Sequence, residues 1–144
     1  EERGLCWERV TANLTQVCIW QMDTSSAWVS WPAGVVNFHG AYQYWQWYIT
    51  GGKAGIKPTG DMARLFELWD KLQVTTDEKE RECIAREMTD LHAKNIWIIG
   101  TVGEAIQPVV VKNDFRNVPE ELISTNSAQT PGNAQTAQFF IKQK

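Results

Sequence analysis

The sequence is poor in the residues that most often announce chemistry. Three cysteines (Cys6, Cys18, Cys83) and two histidines (His39, His92) are scattered through 144 residues. No C-x-x-C or H-E-x-x-H spacing occurs, so neither a zinc site nor a disulfide framework is written in the chain. One cysteine pair can still form and leave a third thiol free, but spacing does not choose the pair. G-x-S-x-G and Gly-rich phosphate loops are also missing, which removes the common nucleophile and nucleotide signatures. Basic runs are missing too, and the net charge is −3. That excludes the electrostatic footprint expected of a nucleic-acid binder or a lipid-headgroup patch. No internal repeat is visible. The length suffices for a domain with a sizeable core, and the composition is that of a globular protein.

The widest absence is of charge. Residues 24–52 contain no Asp, Glu, Lys or Arg. A membrane helix is excluded there, because about 20 mainly apolar residues are needed. Ser25, Ser26, Ser30, Pro32, Asn37, His39, Gln43 and Gln46 interrupt the stretch. Aromatic residues fill the gap: Trp28, Trp31, Phe38, Tyr42, Tyr44, Trp45, Trp47 and Tyr48, half of all those in the chain. Such a cluster reads either as a core of large side chains or as the wall of a site for an uncharged ligand. Aromatic faces give contact area, and Tyr and Trp add a polar tip. The stretch holds no carboxylate, which argues against acid/base chemistry within it.

Asp23 is the last charge before this stretch. It follows "VCIW", residues 17–20, a β-branched run that reads as a buried strand. A carboxylate at a strand end, facing an aromatic wall, can pair with a ligand ammonium group. Equally, it can bond its own backbone in the turn "QMDTSS". His39 is either structural or pocket-lining, and His92 reads as solvated on a charged helix.

The remaining pattern alternates helices and apolar runs. Residues 5–16 open as a helix. Residues 41–49 have helical apolar spacing, with Gly51 and Gly52 as a stop. "GGKAGIKPTG" is a loop. A helix over about 60–73 carries the buried stripe Met62, Leu65, Phe66, Trp69 and Leu72. Thr75 and Glu78 have capping-box spacing for a helix to about 95, which buries Ile84, Met88 and Leu91 and solvates "DEKERE". "IWIIGTVG" (96–103) and "PVVVKN" (108–113) read as strands, "NVPEEL" as a short helix with Pro119 in its first turn. Residues 124–136 are a polar loop, and "QFFIK" is a terminal strand.

Several of these blocks, in this order, carry a family resemblance. They are "ERVTANLTQVCIWQMD", "WQWYITGGKAGIKPTGDMARLFELWDKL", "IWIIGTVGEAIQPVVVKNDFRNVPEE" and the closing "AQFFIK". Over nearly its whole length the chain resembles the C-terminal part of the family 5 extracellular solute-binding proteins. These are the oligopeptide- and dipeptide-type binding components of ABC importers. The resemblance implies an α/β fold: the C-terminal portion of a two-lobed periplasmic-binding-protein type II architecture, with a mixed sheet and flanking helices. Residues 1–105 would belong to the second lobe, 106–112 to a hinge strand, and 113–144 to a tail returning toward the first lobe. The chain begins without Met and is expected to be a piece of a longer protein.

The implied function is capture of peptides outside the cytoplasm, by a periplasmic protein or a cell-surface lipoprotein, without catalysis, metal or cofactor. Implied partners are a small peptide or oligosaccharide, the importer's permease subunits and the N-terminal lobe of the same protein. An Asp at a position like Asp23 pairs with the ligand's α-amino group in peptide-binding members. Trp20, Trp28, Trp31, Trp45 and Trp47 would supply the aromatic contacts. Here "WQMDTSS" lacks the Asn/Pro-containing continuation, and "IKP" replaces Glu-Pro-Pro. Eight tryptophans also suit sugar stacking, so an oligosaccharide-binding relative is the alternative. A carbohydrate-binding module of an enzyme is a further one.

Overall fold

The computed structural model describes residues 2–20, 32–103, 106–124 and 130–143. Its architecture is helix-rich. The elements are α1 (Arg3–Thr11), α2 (Pro32–Val35), α3 (Tyr42–Ile49), α4 (Gly60–Val74), α5 (Glu78–Asn95), β1 (Phe115–Arg116) and β2 (Phe140–Ile141), with short 3-10 turns before α3 and before β2.

The antiparallel pair α4 and α5 is the frame. On α4, Met62, Leu65, Phe66, Leu68, Trp69 and Leu72 are buried, which is the expected stripe with Leu68 added. On α5 the buried residues are Ile84, Met88 and His92. The linker is short because both ends are tightly capped. Asp77 accepts from the Glu80 amide at 2.8 Å, so Asp77 and not the Thr75/Glu78 pair caps α5. Arg81 donates to the carbonyls of Leu72 and Thr75 at 2.8 and 3.0 Å, satisfying the orphan acceptors at the end of α4. Outside, Lys94–Asp61, Arg64–Glu87 and Lys71–Glu80 form a ladder of ion pairs at 2.7–2.8 Å. Exposed pairs of this kind contribute little energy; their order along the two helices reflects the antiparallel arrangement that the buried stripe sets.

The uncharged segment lies against this hairpin. Val35, Val36, Phe38 and Ala41 join the buried cluster, while Tyr44, Trp45, Tyr48, Leu91, Trp97 and Ile98 cover it half-buried. His92 is 8 % exposed, contrary to its reading as solvated. Its Nε2 lies 2.8 Å from the Val35 carbonyl, and its ring meets Phe38 and Trp97 edge-on at 5.2 and 5.3 Å. Burial lowers the His92 pKa from its ordinary 6.5, against a smaller raising effect of the Val35 bond. A base whose folded pKa is depressed takes up more protons when unfolded. Stability is therefore complete above the ordinary value and falls as pH drops below it toward the folded pKa. Urea midpoints at about pH 5 are expected to lie below those at about pH 7.5. His92→Gln keeps a donor for Val35 and should flatten that difference; an unaltered pH dependence would assign it elsewhere.

Among the described residues the expected mixed sheet is reduced to one antiparallel ribbon, with Phe115 opposite Ile141 and Arg116 opposite Phe140. Phe115 and Phe139 meet edge-on at 5.5 Å, and Asn117 donates to the Gln138 carbonyl at 3.1 Å. Residues 17–20, 97–103 and 108–112 form no strand, and residues 117–122 form no helix. The first three runs are apolar but have no ladder partner among the described residues. Ile19, Ile106 and Val110 are 91, 92 and 95 % exposed. Extended backbone becomes a strand only when a neighbour takes its hydrogen bonds.

Candidate functional site

Helix α1 carries the first aromatic cluster. Glu2 starts the helix by accepting from the Gly4 and Leu5 amides at 3.1 and 3.4 Å. The helix ends at Thr11, earlier than the expected 16, because Asn13 turns left-handed at φ 58°. Val10 is buried. Gln43 of α3 donates to the Thr11 carbonyl at 2.7 Å and fixes α1 against α3. Trp7 is thereby presented to His39, whose ring stacks on it at 4.8 Å and 23°. Trp20 meets Trp7 edge-on at 5.3 Å and lies 6.1 Å from His39. The Arg3 guanidinium sits 5.6 Å from the Trp20 ring centroid, a cation–π contact worth about 0.5–1 kcal/mol at an exposed site. Burial lowers the His39 pKa below its ordinary value, which favours a neutral ring. Its Nε2 has no hydrogen-bond partner among the described residues. The cluster offers large flat faces, while the His39 Nε2 is itself buried.

A second cluster joins α3 to α4. Trp45 stacks on Tyr48 at 5.5 Å and 28°, and Tyr48 lies 5.1 Å from Phe66. The Tyr48 hydroxyl donates to Asp70. Desolvation, with the Asp70 hydrogen bond and charge adding to it, holds the Tyr48 pKa up to about 12. Trp47 lies over the loop backbone: a Cβ at Gly52 would come 3.2 Å from its Nε1.

Of the candidate ligand-binding residues, Trp20 thus joins the α1 cluster, while Trp45 and Trp47 stand at the α3–α4 junction. All three are half-buried. Asp23, Trp28 and Trp31 lie outside the described residues, as does the whole of the turn 21–26. Trp7 was not legible as a site member, although Arg3, Trp7 and Val10 have helical spacing that places them on one face. A depression of about 450 Å³ lined by Glu82, Ala85, Arg86, Thr89 and Asp90 shares no residue with either cluster. It belongs to one exposed helix face and cannot enclose a ligand. Among the described residues no group of His, Cys, Asp and Glu could hold a metal ion, and no helix is long and apolar enough to cross a membrane.

Comparison with family models, curated proteins and solved structures finds no match for the chain.

Proposed function

We propose that the chain is the C-terminal portion of the solute-binding component of an ABC importer, a non-enzymatic protein that captures peptides outside the cytoplasm for uptake through permease subunits. One observation carries this reading. Residues 17–20 lead, as neither helix nor strand, into Trp20, whose ring meets Trp7 and His39, and Asp23 follows three residues later. An aromatic cluster followed closely in sequence by a carboxylate suits a peptide: the rings would take its length, and Asp23 would take its amino terminus. The exposed apolar runs around Ile19, Ile99, Ile106 and Val110 suit a chain whose extended segments complete their sheet with another part of a longer, two-lobed protein.

An oligosaccharide is the second reading, favoured by the partly exposed faces of Trp7 and Trp20. Calorimetry of the intact polypeptide against short peptides and against α- and β-linked oligosaccharides separates the two. Peptide binding is expected, and Asp23→Asn should weaken it at least about ten-fold, the loss of one charge-assisted contact. Trp20→Ala should weaken either class. Unchanged peptide affinity in Asp23→Asn would remove that carboxylate from the site. Heat from neither ligand class would overturn the reading itself.

A further inference from the structure

Two of the three cysteines are brought together by the fold. Cys6 sits on α1 and Cys18 on the extended run that follows, and their sulfurs are 3.8 Å apart. Both are half-buried, whereas Cys83 is exposed on α5. The contact spans twelve residues of sequence, so it is a tertiary placement and not a consequence of neighbouring positions. The sulfurs must approach by roughly 1.8 Å to reach the disulfide length of about 2.05 Å. Cys18 can supply that movement, because the run 17–20 has no strand partner among the described residues to hold it.

We propose that Cys6 and Cys18 are a disulfide-forming pair, a redox staple that locks the extended run carrying Trp20 onto helix α1. Trp7 follows Cys6 directly, and Trp20 lies two residues beyond Cys18. The bond would therefore clamp the base of the Trp7–Trp20–His39 cluster. The oxidant required is a disulfide of small thiols, such as oxidised glutathione. Written with Cys6 entering first, its thiolate attacks one donor sulfur, breaks the donor S–S bond and expels one glutathione thiolate. The Cys18 thiolate then attacks the Cys6 sulfur, forms the Cys6–Cys18 bond and expels the second. Two protein thiols are oxidised, one donor disulfide is reduced to two thiols, and the two protons leave with them. Burial, with the Cys6 contact adding to it, pushes the Cys18 thiol up; this lowers its thiolate fraction and slows the second attack at neutral pH, so proximity must favour that step. This assignment stands on the sulfur geometry alone and does not depend on what the protein binds.

The test is thiol counting after equilibration in oxidised or reduced glutathione. Alkylation followed by mass measurement should label all three cysteines in the reduced sample; in the oxidised one Cys6 and Cys18 should stay unlabelled, and Cys83 should carry either the label or one glutathione. Without reduction, trypsin should release residues 4–9 joined to residues 10–53, with a mass two hydrogens below their sum. Cys83→Ser should retain the link. Cys6→Ser should abolish it and leave Cys18 open to alkylation. Hydrogen exchange across residues 12–20 should slow roughly ten-fold or more when the bond closes. Three labelled cysteines in the oxidised sample, or a link that includes Cys83, would overturn the assignment.

Discussion

Gly55→Ala is expected to lower the melting midpoint by about 6–12 °C, corresponding to roughly 3 kcal/mol in a domain of this size. Gly55 has φ +81°, and a Cβ there would lie 2.2 Å from the Gln43 carbonyl oxygen, 2.6 Å from the Trp47 nitrogen and 2.9 Å from the Gln46 Cβ. Two of these are backbone atoms of α3, so no rotamer change relieves the clash. The loop would have to lift from the helix, breaking the bonds from the Ile56 amide to the Gln43 carbonyl at 3.0 Å and from the Ala54 amide to the Thr50 hydroxyl at 3.0 Å. Gly51 provides the comparison, with φ +61° and open space around its Cβ position. Gly51→Ala should cost only the left-handed backbone preference, about 1–2 kcal/mol. Thermal denaturation of both variants isolates the steric part. Equal midpoints would mean that the loop does not pack on α3 in solution.

How much of this was legible depends on whether the information is local. The stripe of α4 is periodic, and Met62, Leu65, Phe66, Trp69 and Leu72 were all readable from spacing alone. The glycine pair that ends α3 was equally plain. His92 departs from the solvated reading because its helical position, not the charges beside it in sequence, decides which face it occupies. Ile84, Met88 and His92 step by four, which places the imidazole on the buried face. The apolar runs at 17–20, 96–103 and 108–113 have strand composition, but composition supplies only one side of a ladder. With no ladder neighbour among the described residues none of them becomes a strand, and only Cys18, Trp20, Trp97 and Ile98 among their side chains are half-buried. Asp77 takes the place of the expected cap for a simpler reason: it immediately precedes the helix, and its carboxylate reaches the Glu80 amide directly. The site was read unevenly. Trp20 belongs to an apolar run that is visible locally, whereas the partners that orient it, Trp7 and His39, come from segments far apart in sequence. The same holds for Cys6 and Cys18, whose pairing only the tertiary placement distinguishes.

Leu65→Ala should destabilise the protein by about 2–5 kcal/mol. Leu65 is fully buried and stands on α4 in the same cluster as Met88 of α5 and Val36 of the uncharged segment. Truncation therefore opens a cavity at the meeting of three elements rather than at one helix edge. Urea denaturation of the chain should show a lower midpoint with an unchanged slope. Val110→Ala, at a residue 95 % exposed, should stay within about 0.5 kcal/mol of the parent in the same experiment. The contrast becomes more informative in the intact polypeptide. There the Leu65 cost should persist, since its packing partners are already present. Val110→Ala should become measurably destabilising, by about 1 kcal/mol or more, if another part of the protein covers this run. A Val110 substitution that stays silent in the intact polypeptide would show that the run is solvent-exposed there too and would remove the exposed apolar segments from the support for a two-lobed protein.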